Sequence, residues 1–124
     1  MDDFRVSELL RMQAELQAAH AGDWAAMEPR HGRESLLWTV EEIGEMAALI
    51  KKQGDTAIME SPAVRGAFVE ELCDVLMYLG DVMLCYSITQ GEVAEAFYAK
   101  HAKNMKRDYA SQYALDFEDS PENS

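Results

Sequence analysis

Two acid clusters are the part of this chain best suited to chemistry. Glu41, Glu42 and Glu45 interrupt the apolar run SLLWTVEEIGEMAALIKK, and Glu70, Glu71 and Asp74 interrupt GAFVEELCDVLMYLGDVMLCY. Burying an unpaired carboxylate costs several kcal/mol, so acids in such segments need compensation. Protonation, arginines from elsewhere or bound cations are the choices. The pattern favours cations. Glu42 with Glu45, and Glu71 with Asp74, are each three residues apart, so each pair projects from neighbouring turns of one helix face. Two such pairs on antiparallel helices would form a four-carboxylate cage. Oxygen donors without imidazole or thiolate suit magnesium, with manganese as the alternative. A di-iron bundle would need Glu-x-x-His on its helices. The one such spelling, Glu28-Pro-Arg-His31, falls in a proline-containing loop. The plain alternative for any single Glu-x-x-Glu pair is a solvated helix face. The repetition inside two apolar segments argues against it.

Helices must position these acids. Glycine (7) and proline (3) are scarce, and no segment alternates with period two, so the expected fold class is all-α. The expected helices run from about Phe4 to Ala21, Ser35 to Lys52, Pro62 to Tyr86 and Glu92 to Tyr109. Gly54-Asp55 and Ser61-Pro62 bracket a connector with room for one more helical turn. The result is a four-to-five-helix bundle over residues 1–110, with an acidic, disordered tail at 111–124. At 100° per residue, Leu36, Val40, Ile43, Ala47 and Ile50 form the expected core stripe of the second long helix. Its acids lie on the other side, flanked by Trp38 and Leu49. The third long helix is apolar around most of its circumference, and Glu70, Glu71, Asp74, Tyr78 and Asp81 form one strip facing protein or an enclosed cleft. Asp81 reads as a surface acid rather than a fifth ligand. His20, Trp24 and His31 read as local loop packing. Apolar character on two sides asks for a partner surface, so an oligomer is expected.

The last helix supplies a different chemistry. Lys100, Asn104 and Arg107 are spaced four and three apart and continue the line of Val93 and Phe97. Two cations and an amide on one line suit phosphate oxygens. Trp38 stands one turn before Glu42, and Tyr78 one turn after Asp74, so each puts an aromatic ring beside the acids. In each case an ordinary core aromatic is the competing reading.

Composition narrows the function classes. The 124 residues carry a formal net charge of −12, which argues against a binder of duplex nucleic acid or of a membrane surface. No stretch approaches the roughly 20 apolar residues of a membrane span. The acidic start MDDFRVSELL lacks the features of a signal peptide. Cys73 and Cys85 stand twelve residues apart in one expected helix, about 18 Å by helical rise, beyond disulfide reach. They read as reduced core thiols in a cytoplasmic protein.

At these residues the sequence resembles the MazG-like all-α nucleoside triphosphate pyrophosphohydrolases, a group related to the dimeric dUTPases and phosphoribosyl-ATP pyrophosphohydrolases. The resemblance covers roughly residues 30–110 and rests on LLWTVEEIGEMAALIKK, EELCDVLMYL and KHAKNMKRDY. It implies magnesium-dependent hydrolysis of a nucleoside triphosphate to the monophosphate and pyrophosphate. Glu42, Glu45, Glu71 and Asp74 would be the metal ligands, and Glu41 would orient or deprotonate the attacking water. It also implies a dimer or dimer of dimers. The connector DTAIMESPAVRG departs from the shorter members. The competing reading is a non-catalytic helical module that binds nucleotide or protein.

Overall fold

The structure, a computed structural model, describes residues 1–107. Five α-helices follow one another: α1 (Val6–Ala19), α2 (Gly32–Gln53), α3 (Asp55–Glu60), α4 (Pro62–Cys85) and α5 (Gln90–Lys106). A single 3-10 turn, Pro29–His31, leads into α2. Among the described residues there is no strand, only an isolated bridge between Ala21 and Trp24. The all-α expectation holds, and the connector is the short helix α3. No single described helix is long and apolar enough to cross a membrane. The chain divides into two compact units, residues 1–90 and a second beginning at Gly91. The tail at 111–124 lies outside the described residues.

Local chemistry sets the helix ends. The Arg5 backbone N–H donates to Glu8 Oε1 at 3.2 Å, which satisfies one amide at the start of α1. Ser61 caps α4 by accepting from the Val64 N–H at 3.4 Å, and Pro62 follows at a position where its missing N–H costs nothing. Gly54 ends α2 with φ +83°, a conformation that disfavours any residue with a β-carbon.

In the first unit α4 is the central element, with α1, α2 and α3 packed against it. The pairing of α2 with α4 is antiparallel: Ser35 meets Cys85 near one end, and Glu42 and Glu45 meet Glu71 further along. Small residues bring the backbones close at the first end. Ser35, Thr39 and Cys85 are buried, and Thr39 returns its hydroxyl proton to the Ser35 carbonyl at 2.9 Å. Gly32 lies so close to the Tyr86 ring that a β-carbon there would overlap it.

This arrangement corrects the expected core stripe of α2. Leu36, Val40, Ile43 and Ile50 are 41–58% exposed and Ala47 is exposed, whereas Ser35, Thr39, Glu42, Met46 and Leu49 form the inward line. Periodicity marks an apolar face but does not say whether that face is covered within the same chain. The smaller, more polar line allows the closer approach to α4. On α4, Val69, Leu72 and Leu79 likewise face outward. Cys73 is exposed rather than a core thiol, while Cys85 is buried, and both are free.

α1 is fastened by a polar contact. Gln13 is buried and donates from Nε2 to Asp81 Oδ1 of α4 at 2.9 Å. Gly80, also buried, leaves room for Gln13 at this crossing. Gln13→Ala is expected to remove about 1–3 kcal/mol of stability, because it strips a donor from a buried carboxylate. Thermal melts should show a fall on the order of 10 °C. Gln17→Ala, at a half-buried position, should cost less.

Candidate metal centre and the cavity beside it

Glu42 and Glu45 of α2 and Glu71 of α4 converge so that one carboxylate oxygen from each lies within 4.8 Å of the others. Glu42 and Glu71 are half-buried, and Glu45 is exposed. Their helices bring them together because Glu42 sits on the inward line of α2, one turn and two turns beyond the buried Thr39 and Ser35. Glu71 sits one turn before the buried Val75. Asp74, half-buried on the next turn of α4, is close enough to repel both Glu42 and Glu71. The four residues assigned as metal ligands therefore share one region, three of them in direct ligating reach of a common point. Glu41 is exposed on α2. Glu70, at the edge of the strip on α4, is exposed as well.

The electrostatics of this cluster are unfavourable as they stand. Burial raises the Glu42 carboxyl from 4.5 to about 7, helped by its hydrogen bond with Glu71 and by repulsion from Glu45 and Asp74. Glu71 is also raised, chiefly by burial, although the hydrogen bond with Glu42 works the other way. Both carboxyls thus release their protons less readily than separate glutamates would. Glu42 Oε2 and Glu71 Oε2 are shielded from solvent and have no hydrogen-bond partner. Buried polar atoms are normally satisfied, so two orphaned carboxylate oxygens facing a third acid fit a divalent cation.

Beside the cluster is a cavity of about 330 Å³. Trp38 on α2 lies one turn from Glu42, and Tyr78 on α4 lies one turn from Asp74. Both line the cavity, together with Trp24 and His31 from the loop between α1 and α2. Tyr78 links the two regions. Its hydroxyl is pushed up by burial first, then by Glu42, Asp74, Asp81 and Glu41. The His20 and Trp24 rings stack with centroids 3.8 Å apart, and His31 Nδ1 donates to the Ala26 carbonyl at 2.7 Å. The loop residues therefore do pack locally, and Trp24 and His31 also face the cavity.

Asp81 is the clearest correction. It is not a surface acid but is 6% exposed, held by Gln13, and lines the cavity. Burial raises its carboxyl, while the Gln13 and Gln17 amides oppose that rise. The sequence signal for this was available: Gln13 falls on the apolar side of α1 with Leu9, Leu10 and Leu16, where a lone amide needs a partner.

The second unit contains the residues assigned to phosphate. On α5, Lys100 is exposed, Asn104 is half-buried with an unpartnered Oδ1, and Arg107 is half-buried just past the helix end. Val93 is half-buried, but Phe97 on the same line is 71% exposed, so that line is not the packed face expected.

Fold and site together define an all-α protein with a three-glutamate cluster, a neighbouring aspartate and an adjoining aromatic cavity. Comparison with known protein families, with curated proteins and with solved structures finds no match.

The raised carboxyls make a prediction about stability. A folded-state acid raised from 4.5 to about 7 binds more protons than the unfolded chain within that window. Metal-free protein should therefore lose stability as pH rises from about 4.5 to 7. Melting temperatures in EDTA across this range should fall with pH, and Glu42→Gln should flatten the slope. A melting temperature that rises through the window would show that the carboxyls are not raised.

Proposed function

We propose that this protein is a nucleoside triphosphate pyrophosphohydrolase of the MazG-like all-α type. It would convert NTP or dNTP and water to the monophosphate and pyrophosphate, in a magnesium-dependent reaction that manganese could also support. The observation that carries this reading is the convergence of Glu42, Glu45 and Glu71, with two oxygens left unpartnered in a packed helix seam. The adjoining aromatic cavity adds support, because it offers planar surfaces one helical turn from the acids.

In this reading Glu42, Glu45, Glu71 and Asp74 hold the cation. Magnesium bound there would neutralise triphosphate charge and lower the pKa of water. Glu41, exposed beside the cluster, orients the attacking water or takes its proton. The attack falls on the α-phosphate, and pyrophosphate leaves. Lys100, Asn104 and Arg107 are assigned by their spacing to phosphate oxygens. Trp38 stacks on the base and Tyr78 contacts the sugar or phosphate. The corresponding physiological role is housecleaning of the nucleotide pool. The outward stripe of α2, from Leu36 to Ile50, supports assembly into a homodimer or a dimer of dimers.

Chromatography of reactions with the common NTPs and dNTPs, in magnesium or EDTA, tests the chemistry. Monophosphate and pyrophosphate should appear only with magnesium, and no diphosphate should form. Glu42→Gln and Asp74→Asn should each lower turnover at least ~100-fold, on the scale of losing a preorganised electrostatic group. Diphosphate and orthophosphate would place the attack on the γ-phosphate and refute the reading. Absent turnover, together with thermal stabilisation by nucleotide, would favour the non-catalytic module. Assembly is tested separately by light scattering on Ile43→Lys. This exposed-face change should shift the wild-type oligomer to a smaller species. On a monomer it should be nearly silent, within about 0.5 kcal/mol.

A further inference from the structure

Resting on the hydrolase reading, we infer that Asp81 is a specificity-determining residue of the aromatic cavity. It selects bases that carry an amino group (cytosine, adenine, guanine) over uracil and thymine. The cavity, about 330 Å³, is at the small end for ligand pockets and suits one ring system better than an extended molecule. Trp24, Trp38 and Tyr78 give it planar apolar faces. Two carboxylates, Asp81 and Glu34, stand on its wall beside the hydroxyls of Ser35 and Tyr78, which can donate or accept. Asp81 is an acceptor-only carboxylate with about four lone-pair sites. The Gln13 amide occupies Oδ1 at 2.9 Å, and the Gln17 amide also donates to it. Each amide directs one N–H to the acid, and the acid keeps acceptor capacity. His31 is already engaged, donating through Nδ1 to the Ala26 carbonyl at 2.7 Å.

A wall carrying two carboxylates favours a ligand edge that brings donors. The exocyclic amino groups of cytosine, adenine and guanine do so. Uracil and thymine instead present two carbonyl oxygens around a single N–H. An oxygen facing a carboxylate leaves both acceptors unpaired and repelling one another. A purely structural role for Asp81, tying α1 to α4, would be met by a neutral amide at this position. That would avoid the desolvation of a buried charge. Retaining a carboxylate on a cavity wall is the feature a structural tie leaves unexplained.

The test compares wild type with Asp81→Asn, which keeps the shape but exchanges one acceptor for a donor. Steady-state kinetics with magnesium use dCTP and dUTP, whose bases differ only at C4 and in the N3 proton. In parallel, quenching of tryptophan fluorescence by deoxycytidine and deoxyuridine is measured in EDTA, which reads the cavity without phosphate, metal or turnover. In wild type, kcat/KM for dCTP should exceed that for dUTP by at least ~10-fold, mainly through KM. Deoxycytidine should be the tighter quencher. Asp81→Asn should shrink both preferences toward parity. Equal handling of the two bases by wild type overturns the inference, as does an unchanged ratio in folded Asp81→Asn. Should the variant not fold, the wild-type ratio decides alone. If no triphosphate is hydrolysed, the hydrolase reading falls. The nucleoside titration then still decides: preference for deoxycytidine supports the role of Asp81, and equal or absent quenching overturns it.

Discussion

Where α2 meets α4, Glu42 and Glu71 are pressed together with Glu45 and Asp74 close by, and one oxygen of each is shielded from solvent with no protein donor. Other features of the first unit are arranged around that contact. Small residues at Ser35, Thr39 and Cys85 set the close approach of the helices. The apolar stripe of α2 is turned outward because the inward line is occupied by Ser35, Thr39, Glu42, Met46 and Leu49. A seam of this kind is a poor way to stabilise a fold, because acids meet there at half-buried positions.

Much of this was legible in the sequence. Long apolar segments with few glycines and prolines located α2 and α4 to within a few residues. The three-residue spacing of Glu42 with Glu45 brought both to one side of α2, and Glu71 arrives opposite them. The facing of α2 was not legible. A stripe such as Leu36, Val40, Ile43 and Ile50 reports that a face must be covered, and nothing in a periodicity says by what. Asp81 was misread for a related reason. Its partner Gln13 is 68 residues away, and pairings at that separation leave no mark in local spacing. The apolar side of α1 did contain a clue, since an amide among leucines requires a polar neighbour.

The cavity shows the same division. Trp38 and Tyr78 were singled out because they lie one turn from acids on their own helices. Trp24 and His31 reach the same space from a loop, where the 3.6-residue period gives no guidance. Their stacking and hydrogen bonding with His20 and Ala26 also show that local packing and cavity lining are compatible roles for one residue.

The outward stripe has a thermodynamic corollary. Among the described residues, Leu10, Val75 and Cys85 are the buried hydrophobic side chains. The heat-capacity change and denaturant sensitivity of unfolding both scale with the apolar surface that folding hides. An isolated chain of this design therefore has a shallow stability curve and a broad denaturant transition. Covering Leu36, Val40, Ile43 and Ile50 would steepen both, so the cooperativity of unfolding would belong to the assembly rather than to the single chain.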